Sequence, residues 1–491
     1  MNTSTALQSI QSSITHLTNE WVLIGTFFVA LLIDLFVKRK EGTVYITFAG
    51  ILFSTFVLAQ QFLSITEPLS LFNNFYQLTK TTLTFKLIIS ISAIVVLLPF
   101  VFKSFKFKNA EFFYLFPLLI LSTNLLSMSS HLLSVLIGIE FLSILSYLYI
   151  AFQINSNSNA ESSTKYVVYG AFSSAIMLYG ISWLYALSGT MYLDANFLAE
   201  LSKANTSTVA MAILIFSAGF LFKISAAPFH YYSPDVYEGS SPSTLAFIST
   251  IPKVAGFAVL FAFVSRFHFN FQGSILVWPH FPWEKVLSVI AIATMFIGNL
   301  SAISQRNLKR IFAYSSISHT GFILMGLIVY SQTGLEALVY YLVIYTISNF
   351  ALFFILQLWE SKYGIVELKQ LVGLGRKEKL TASLLVLLLA SFTGLPPLAG
   401  FLAKFFIFSS VFEQYQLSHE PWLMYVLIAG VLNTVIALFY YFNIARYLFL
   451  KSGDFLSTAI SVIENEKILL LLISMLSISL IYLGLNPFSL N

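Results

Sequence analysis

Runs of about twenty apolar residues, separated by short polar breaks, recur along the whole chain. A helix of that length crosses a bilayer, since each residue advances it by about 1.5 Å through about 30 Å of hydrocarbon. The runs predict about fourteen spans, near 20–37, 43–65, 83–102, 110–128, 131–153, 165–188, 207–229, 243–266, 286–304, 311–331, 335–358, 380–409, 423–445 and 468–486. Ten-residue segments of alternating polarity, the mark of a membrane barrel, are not seen. The expected fold is therefore an all-α polytopic membrane protein. The longest polar connections, near 189–206 and 267–285, are too short for a soluble domain, so residues 1–491 read as a single transmembrane domain. The stretch from Met1 to Thr18 is polar and carries no Lys or Arg, unlike a secretory signal or a transit peptide, and the first span is expected to be retained.

Composition narrows the function. Of 491 residues 58% are hydrophobic and 10% charged, against about 25% charged in soluble domains. With no cysteine, disulfides, thiolate-bound iron–sulfur clusters, cysteine zinc sites and thiol nucleophiles are excluded. The net charge of +5 is one-sided: of 26 Lys and Arg, eighteen fall in loops on one face, four on the other and four inside spans. That asymmetry fixes orientation in a membrane and gives no sign of nucleic-acid binding. The basic loops are expected on the cytoplasmic or matrix face and both termini on the opposite, proton-rich side.

The charges inside spans carry the candidate chemistry. An ionised side chain in a bilayer costs about 3 kcal/mol or more, so one that persists ordinarily lines an internal, hydrated path. Lys86 opens the third span and is expected to snorkel to the interface; Asp34 is expected to neighbour the Lys38–Lys40 cluster. Glu140, in IGIEFLSIL, reads as the only acid deep in a helix. Lys223 in GFLFKISAAPFH, Lys253 in STIPKVAGF and Lys404 in GLPPLAGFLAKFF have apolar neighbours on both sides. One structural ion pair would account for Glu140 and a single lysine, leaving two cations over. An amine held between the opposed influences of burial and a nearby carboxylate can load and release a proton, and these four residues are the candidate proton relay.

Prolines mark the same places. Pro228 follows Lys223, Pro252 precedes Lys253, and Pro396 and Pro397 precede Lys404. Each removes a helical N–H and frees a carbonyl, so each lysine is expected beside an interrupted helix. The pentapeptide Gly219-Phe220-Leu221-Phe222-Lys223 recurs as Gly400-Phe401-Leu402-Ala403-Lys404, in the seventh and twelfth spans. Copies five spans apart run in opposite directions, which predicts two inverted five-helix repeats, spans 4–8 (110–266) and 9–13 (286–445).

Three blocks, 219–257, 307–322 and 391–408, resemble the antiporter-like subunits of respiratory complex I, and within them subunit N, called NADH dehydrogenase subunit 2 in mitochondria. The resemblance implies fourteen spans with broken helices 7 and 12. It implies pairing of Glu140 with Lys223, a central place for Lys253, an outlet-side place for Lys404, and supporting positions for Lys165, His230 and His319. Of these, Lys165 and His230 lie near span ends, where an interfacial role is equally open, and His319 is equally open to a packing role. It implies a proton-translocating subunit with no cofactor of its own; flavin, iron–sulfur clusters and quinone would belong to other subunits. The partners would be the bilayer and other membrane-arm subunits, including a neighbouring antiporter-like one. The phrasing of the blocks points to a bacterial inner membrane, with a mitochondrial inner membrane as the alternative. A stand-alone or Mrp-type cation/proton antiporter is the competing function, and Lys404 weighs against it, because subunit M and the Mrp proteins usually carry glutamate there. A haem protein is disfavoured, since no two of the seven histidines share a span at ligand spacing.

Overall fold

The computed structural model describes residues 10–36, 41–105, 109–152, 157–268, 282–453 and 463–488. Twelve helices among them are long and apolar enough to cross a bilayer, and the chain is a multi-pass membrane protein, as the apolar runs predict. Two further expected spans are shorter or divided. Glu111–Ser127 is interrupted at Leu115, where Pro117 begins a fresh helix. Lys379–Thr393 is followed, after a break, by Ala399–Ser418. Lys38, Arg39, Lys40, Lys106 and Lys108, all assigned to the basic face, lie outside the described residues.

One element departs from the all-helical expectation. Leu69–Leu71 and Tyr76–Leu78 form an antiparallel hairpin with Leu69 opposite Leu78. Phe72, Asn73 and Asn74 turn it in the left-handed region. Three residues per strand are too few to show an alternating pattern.

Burial separates inner helices from outer ones. Over an apolar eighteen-residue stretch of Leu308–Ile328, 94% of residues are buried, and over such a stretch of Gln332–Tyr363 and of the segment 242–267, 89%. Over the matching stretch of Glu466–Leu485 only 22% are. Polar side chains on the first three therefore face protein, while Leu471, Met475, Ile478 and Tyr482 of the last present an apolar outer surface. The 308–328 helix starts at Asn307, whose Oδ1 accepts from the Lys309 and Arg310 amides. It packs closely on Trp283–Ile303 because glycines let the backbones meet. A Cβ on Gly298 would lie 2.5 Å from the Ser318 nitrogen, and one on Gly321 2.8 Å from the Ala291 oxygen.

Three spans are broken beside the buried lysines. Ala218–Lys223 ends at once after its lysine, where Ser225 is left-handed and the Ala227–Pro228 bond is cis. Pro242–Ile248 stops at Ser249 and Thr250 before Ile251–His268 begins. Lys379–Thr393 closes on Gly394 at φ 88°. Breaks in spans 7 and 12 meet expectation. However, the first copy of the pentapeptide precedes its break and the second follows its own, so the two are not placed alike within their spans.

Replacing Gly298 by Leu should force the 283–303 and 308–328 backbones apart, costing about 1–3 kcal/mol or more. The amount of folded protein recovered from membranes, and its thermal midpoint in detergent, should both fall.

Candidate functional site

Lys223, Lys253 and Lys404 each donate hydrogen bonds to neutral oxygen. Lys223 is 3% exposed, and its Nζ donates to Ser143 Oγ at 3.2 Å. Ser143 stands one turn beyond Glu140 on the helix Leu132–Ala151. Glu140 is only half-buried and its Oε1 has no hydrogen-bond partner within the chain. Among the described residues, no ion pair joins it to Lys223; the hydroxyl of Ser143 receives the ammonium instead.

The break after Lys223 leaves carbonyls that side chains from other helices satisfy. Tyr232 donates to the Phe222 oxygen at 2.9 Å, and Thr320 to the Ile224 oxygen at 2.8 Å. Thr320 also belongs to the next lysine. Lys253 Nζ donates to Thr320 Oγ1 at 3.1 Å, to Ser316 Oγ at 2.6 Å and to the Ser316 carbonyl at 3.0 Å. All three bonds land on one face of the 308–328 helix. Two tyrosines close the cluster: Tyr345 OH lies 2.6 Å from Ser316 Oγ, and Tyr237 OH donates to the same oxygen at 3.0 Å. Tyr345 also reaches the Ser249 carbonyl exposed by the eighth-span break, at 3.2 Å.

His319 continues the line. Its Nδ1 lies 2.8 Å from Tyr341 OH and its Nε2 3.1 Å from Tyr441 OH, which in turn lies 2.5 Å from Ser315 Oγ. Between His319 and Lys404 is a cavity of about 10 Å³ whose walls include Ser348, Ser391 and Gly400, the lower bound for a single water. Lys404 Nζ donates to the Thr393 carbonyl at 3.0 Å, the last helical residue before the twelfth-span break, and lies 4.6 Å from the centre of the Phe322 ring. Lys223, Lys253, His319 and Lys404 thus lie along one buried seam, with Thr320 reaching toward both of the first two lysines.

The other candidates sit apart from that seam. Lys165 is bonded to Glu161 at 2.6 Å and to Asp235 at 2.8 Å. Asp235 also receives Arg310 at 2.8 Å, which bonds Glu238 as well. Lys165 and Arg310 are both among the basic residues that the sequence assigns to one face. Partial burial alone would raise the Asp235 carboxyl, but the bonds from Lys165 and Arg310 outweigh it and hold the group below its ordinary value. His230 is 4% exposed, rests on the Tyr231 ring, and its Nδ1 has no hydrogen-bond partner within the chain. His131 caps the 132–151 helix, accepting from the Leu133 amide at 3.1 Å. Among the described residues no group of three or more His, Asp or Glu is arranged to hold a metal.

One expectation needs correcting. Lys86 does not snorkel: it is fully buried, 2.6 Å from Glu20. Glu20, in the first turn of its own helix, is itself 2% exposed, a buried acid that the sequence did not single out.

The family described as NADH:quinone oxidoreductase/Mrp antiporter, transmembrane, matches residues 129–437, well over half of the chain. NADH-quinone oxidoreductase subunit N 2 of Sorangium cellulosum is 35% identical over 460 residues, covering 90% of each chain. The chain belongs to the NADH-quinone oxidoreductase subunit N family. A chain in the structure of respiratory complex I from Thermus thermophilus with bound aureothin matches with a TM-score of 0.77 and 25% identity, over 96% of this chain and 97% of that one. A chain of the Mrp complex from Dietzia sp. matches with a TM-score of 0.77 but 18% identity, over 96% and 94%, a likeness of fold alone.

In this subunit N family member, reading the sequence found the cations of the seam and missed the neutral groups that hold them. Ser143, Ser316, Thr320 and Tyr345 are residue types common in membrane helices. The available signal was the run Tyr314–Thr320, unusually polar for the middle of a span.

Two outcomes are expected. Replacing Ser316 by Ala together with Thr320 by Val strips Lys253 of both hydroxyl acceptors. It should cost about 1.5–3 kcal/mol for each bond to a charged group, read as a lower thermal midpoint of the purified protein. Asp235→Asn should lower the midpoint near neutral pH. Because the folded Asp235 carboxyl is held low, its contribution is complete above the ordinary carboxylate value and lost as pH falls through the lowered one. The gap between variant and wild type should therefore begin to shrink near about pH 4 and close below it.

Proposed function

We propose that this chain moves protons across the bilayer as an antiporter-like membrane-arm subunit of an NADH-quinone oxidoreductase, with the redox groups carried by other subunits of the complex. The observation that carries the reading is the seam itself: three ammonium groups and an imidazole, embedded in apolar helices, each held by hydroxyls or by carbonyls freed at a helix break. Neutral acceptors of this kind bind an amine in either protonation state, whereas a tight carboxylate partner would pin the charged one.

Protons enter from the basic face near Lys223, pass by Thr320 and Lys253 to His319, and leave beyond Lys404 through bridging water. Glu140 is the switch. It stands one turn from the serine that holds Lys223, and moving its charge closer or farther changes how firmly that lysine keeps its proton. Its helix presents Ile137 and Ile144 outward, 48% and 54% exposed, on the same stripe as Glu140. A neighbouring antiporter-like subunit against this stripe would couple the switch to the rest of the complex. Lys165 braces Asp235 at the entrance, and His230 lines it. The segments 110–266 and 286–445 act as two inverted units, in a bacterial inner membrane with both termini on the periplasmic side. The Mrp-type alternative shares the fold and has no further observation in its favour.

In the assembled complex reconstituted in vesicles, Glu140→Gln and Lys404→Ala should each lower proton transport per NADH oxidised several-fold, as followed by a pH-sensitive dye. Full transport in both variants would contradict the assigned roles.

A further inference from the structure

Away from the seam, a second set of charges is buried among the first spans. Glu20, on the helix Thr18–Phe36, and Lys86, on Lys80–Val101, are 2% and 0% exposed, and Oε1 and Nζ are 2.6 Å apart. A buried ion pair contributes to stability only where its remaining lone pairs and protons are also bonded. Here they are not. Glu20 Oε2 has no hydrogen-bond partner within the chain, and the second neighbour of Lys86 Nζ is Met128 Sδ at 3.6 Å, a weak acceptor.

The neutral polar groups nearby share the deficit. Asn19 accepts from Ser54 Oγ, yet its Nδ2 has no partner. Ser90, one turn along from Lys86, has none, and neither amide atom of Asn124, one turn before Met128, has one. All of these residues are fully buried. Buried polar groups are ordinarily bonded to protein or water, so so many open positions around one ion pair mark a place built for hydration.

Water has a way in. A cavity of about 280 Å³ opens beside the hairpin, walled by Thr82, Phe85, Met128, Arg266 and Tyr330, ample for several waters. Met128 both lines this cavity and touches Lys86, so the cavity wall and the pair share a side chain. The hairpin connects the second and third spans, Glu41–Ser64 and Lys80–Val101, at the ends away from Glu41 and Lys103, which pair at 2.8 Å.

We propose that Glu20 and Lys86 form a second proton-exchanging site, loaded through this cavity from the face opposite the basic loops. A proton carried by hydronium in the cavity binds the open lone pair of Glu20 Oε2 and leaves water behind. The carboxylate becomes a neutral carboxyl, its attraction to the Lys86 ammonium is lost, and the reverse step returns the proton to cavity water. Lys86, Tyr76 of the hairpin and, across the cavity, Arg266 with its neighbours Tyr330 and Asp194 are charged or titratable groups around it. The site stands on these contacts and rests on the proton-moving reading only for the use to which the proton is put.

Dicyclohexylcarbodiimide adds to protonated buried carboxyls, and mass spectrometry of the treated complex in native lipid reads that addition residue by residue. Glu20 should be modified, and the labelling should fall as the pH is raised. As a control for structure, the double variant Glu20→Gln with Lys86→Met replaces the pair by neutral groups of similar size, which a merely structural pair tolerates. It should assemble and oxidise NADH normally while moving fewer protons per electron than wild type. An unlabelled Glu20 at every pH, together with wild-type transport in the double variant, would overturn the proposal. A failure of the proton-moving reading looks different: the wild-type complex itself would move no protons through this chain while Glu20 still labelled.

Discussion

Three ammonium groups lie inside helices that hold almost no other charge, and each donates its hydrogen bonds to hydroxyls or to a carbonyl released where a helix stops. An amine in hydrocarbon without such oxygen would cost several kcal/mol, and its helix would not stay in the membrane. The positions of the breaks, the crowding of serine, threonine and tyrosine on the 308–328 helix, and the burial of that helix on nearly every side all answer to this requirement. The glycine contacts with the 283–303 helix serve it as well, since they hold the hydroxyl-bearing helix at a fixed place in the interior.

The choice of acceptor has a chemical consequence. A carboxylate within contact distance of each lysine would fix every proton in place, and the seam would be a row of structural ion pairs. Hydroxyls and backbone carbonyls accept from an amine without carrying charge, so protonation states along the row stay close in free energy and respond to a charge that moves nearby. The acidic groups that do exist are set to the side. Glu140 stands at the edge of an outward stripe, and Asp235 is held in an ion network with Lys165 and Arg310. Glu20 lies in a separate group of helices altogether.

The sequence made the skeleton of this arrangement readable. Apolar runs with breaks gave the spans, because nothing but a helix satisfies its backbone in lipid. Lys223, Lys253 and Lys404 stood out because their neighbours are apolar on both sides, and the prolines beside them announced the interruptions. The Glu20–Lys86 pair was not readable in the same way. Each member stands within the first two turns of its span, where snorkelling is the ordinary expectation, and their meeting depends on how the first and third spans pack. The hydroxyl acceptors were hidden for another reason: Ser316 and Thr320 differ from packing residues only in what they face across the helix interface. The bonding of Lys223 to Ser143 in place of Glu140 is likewise a matter of side-chain placement that spacing along the chain does not encode.

Water distribution in the interior tests the central claim most directly. An experimental density map of the assembled complex in lipid, at a resolution that shows ordered solvent, should reveal water between His319 and Lys404 in the cavity bounded by Ser348 and Ser391, and further water linking Lys223 with the Ser316 and Thr320 hydroxyls. A map in which these spaces are closed by side chains, with the lysines bonded to protein alone and no solvent between them, would contradict the account.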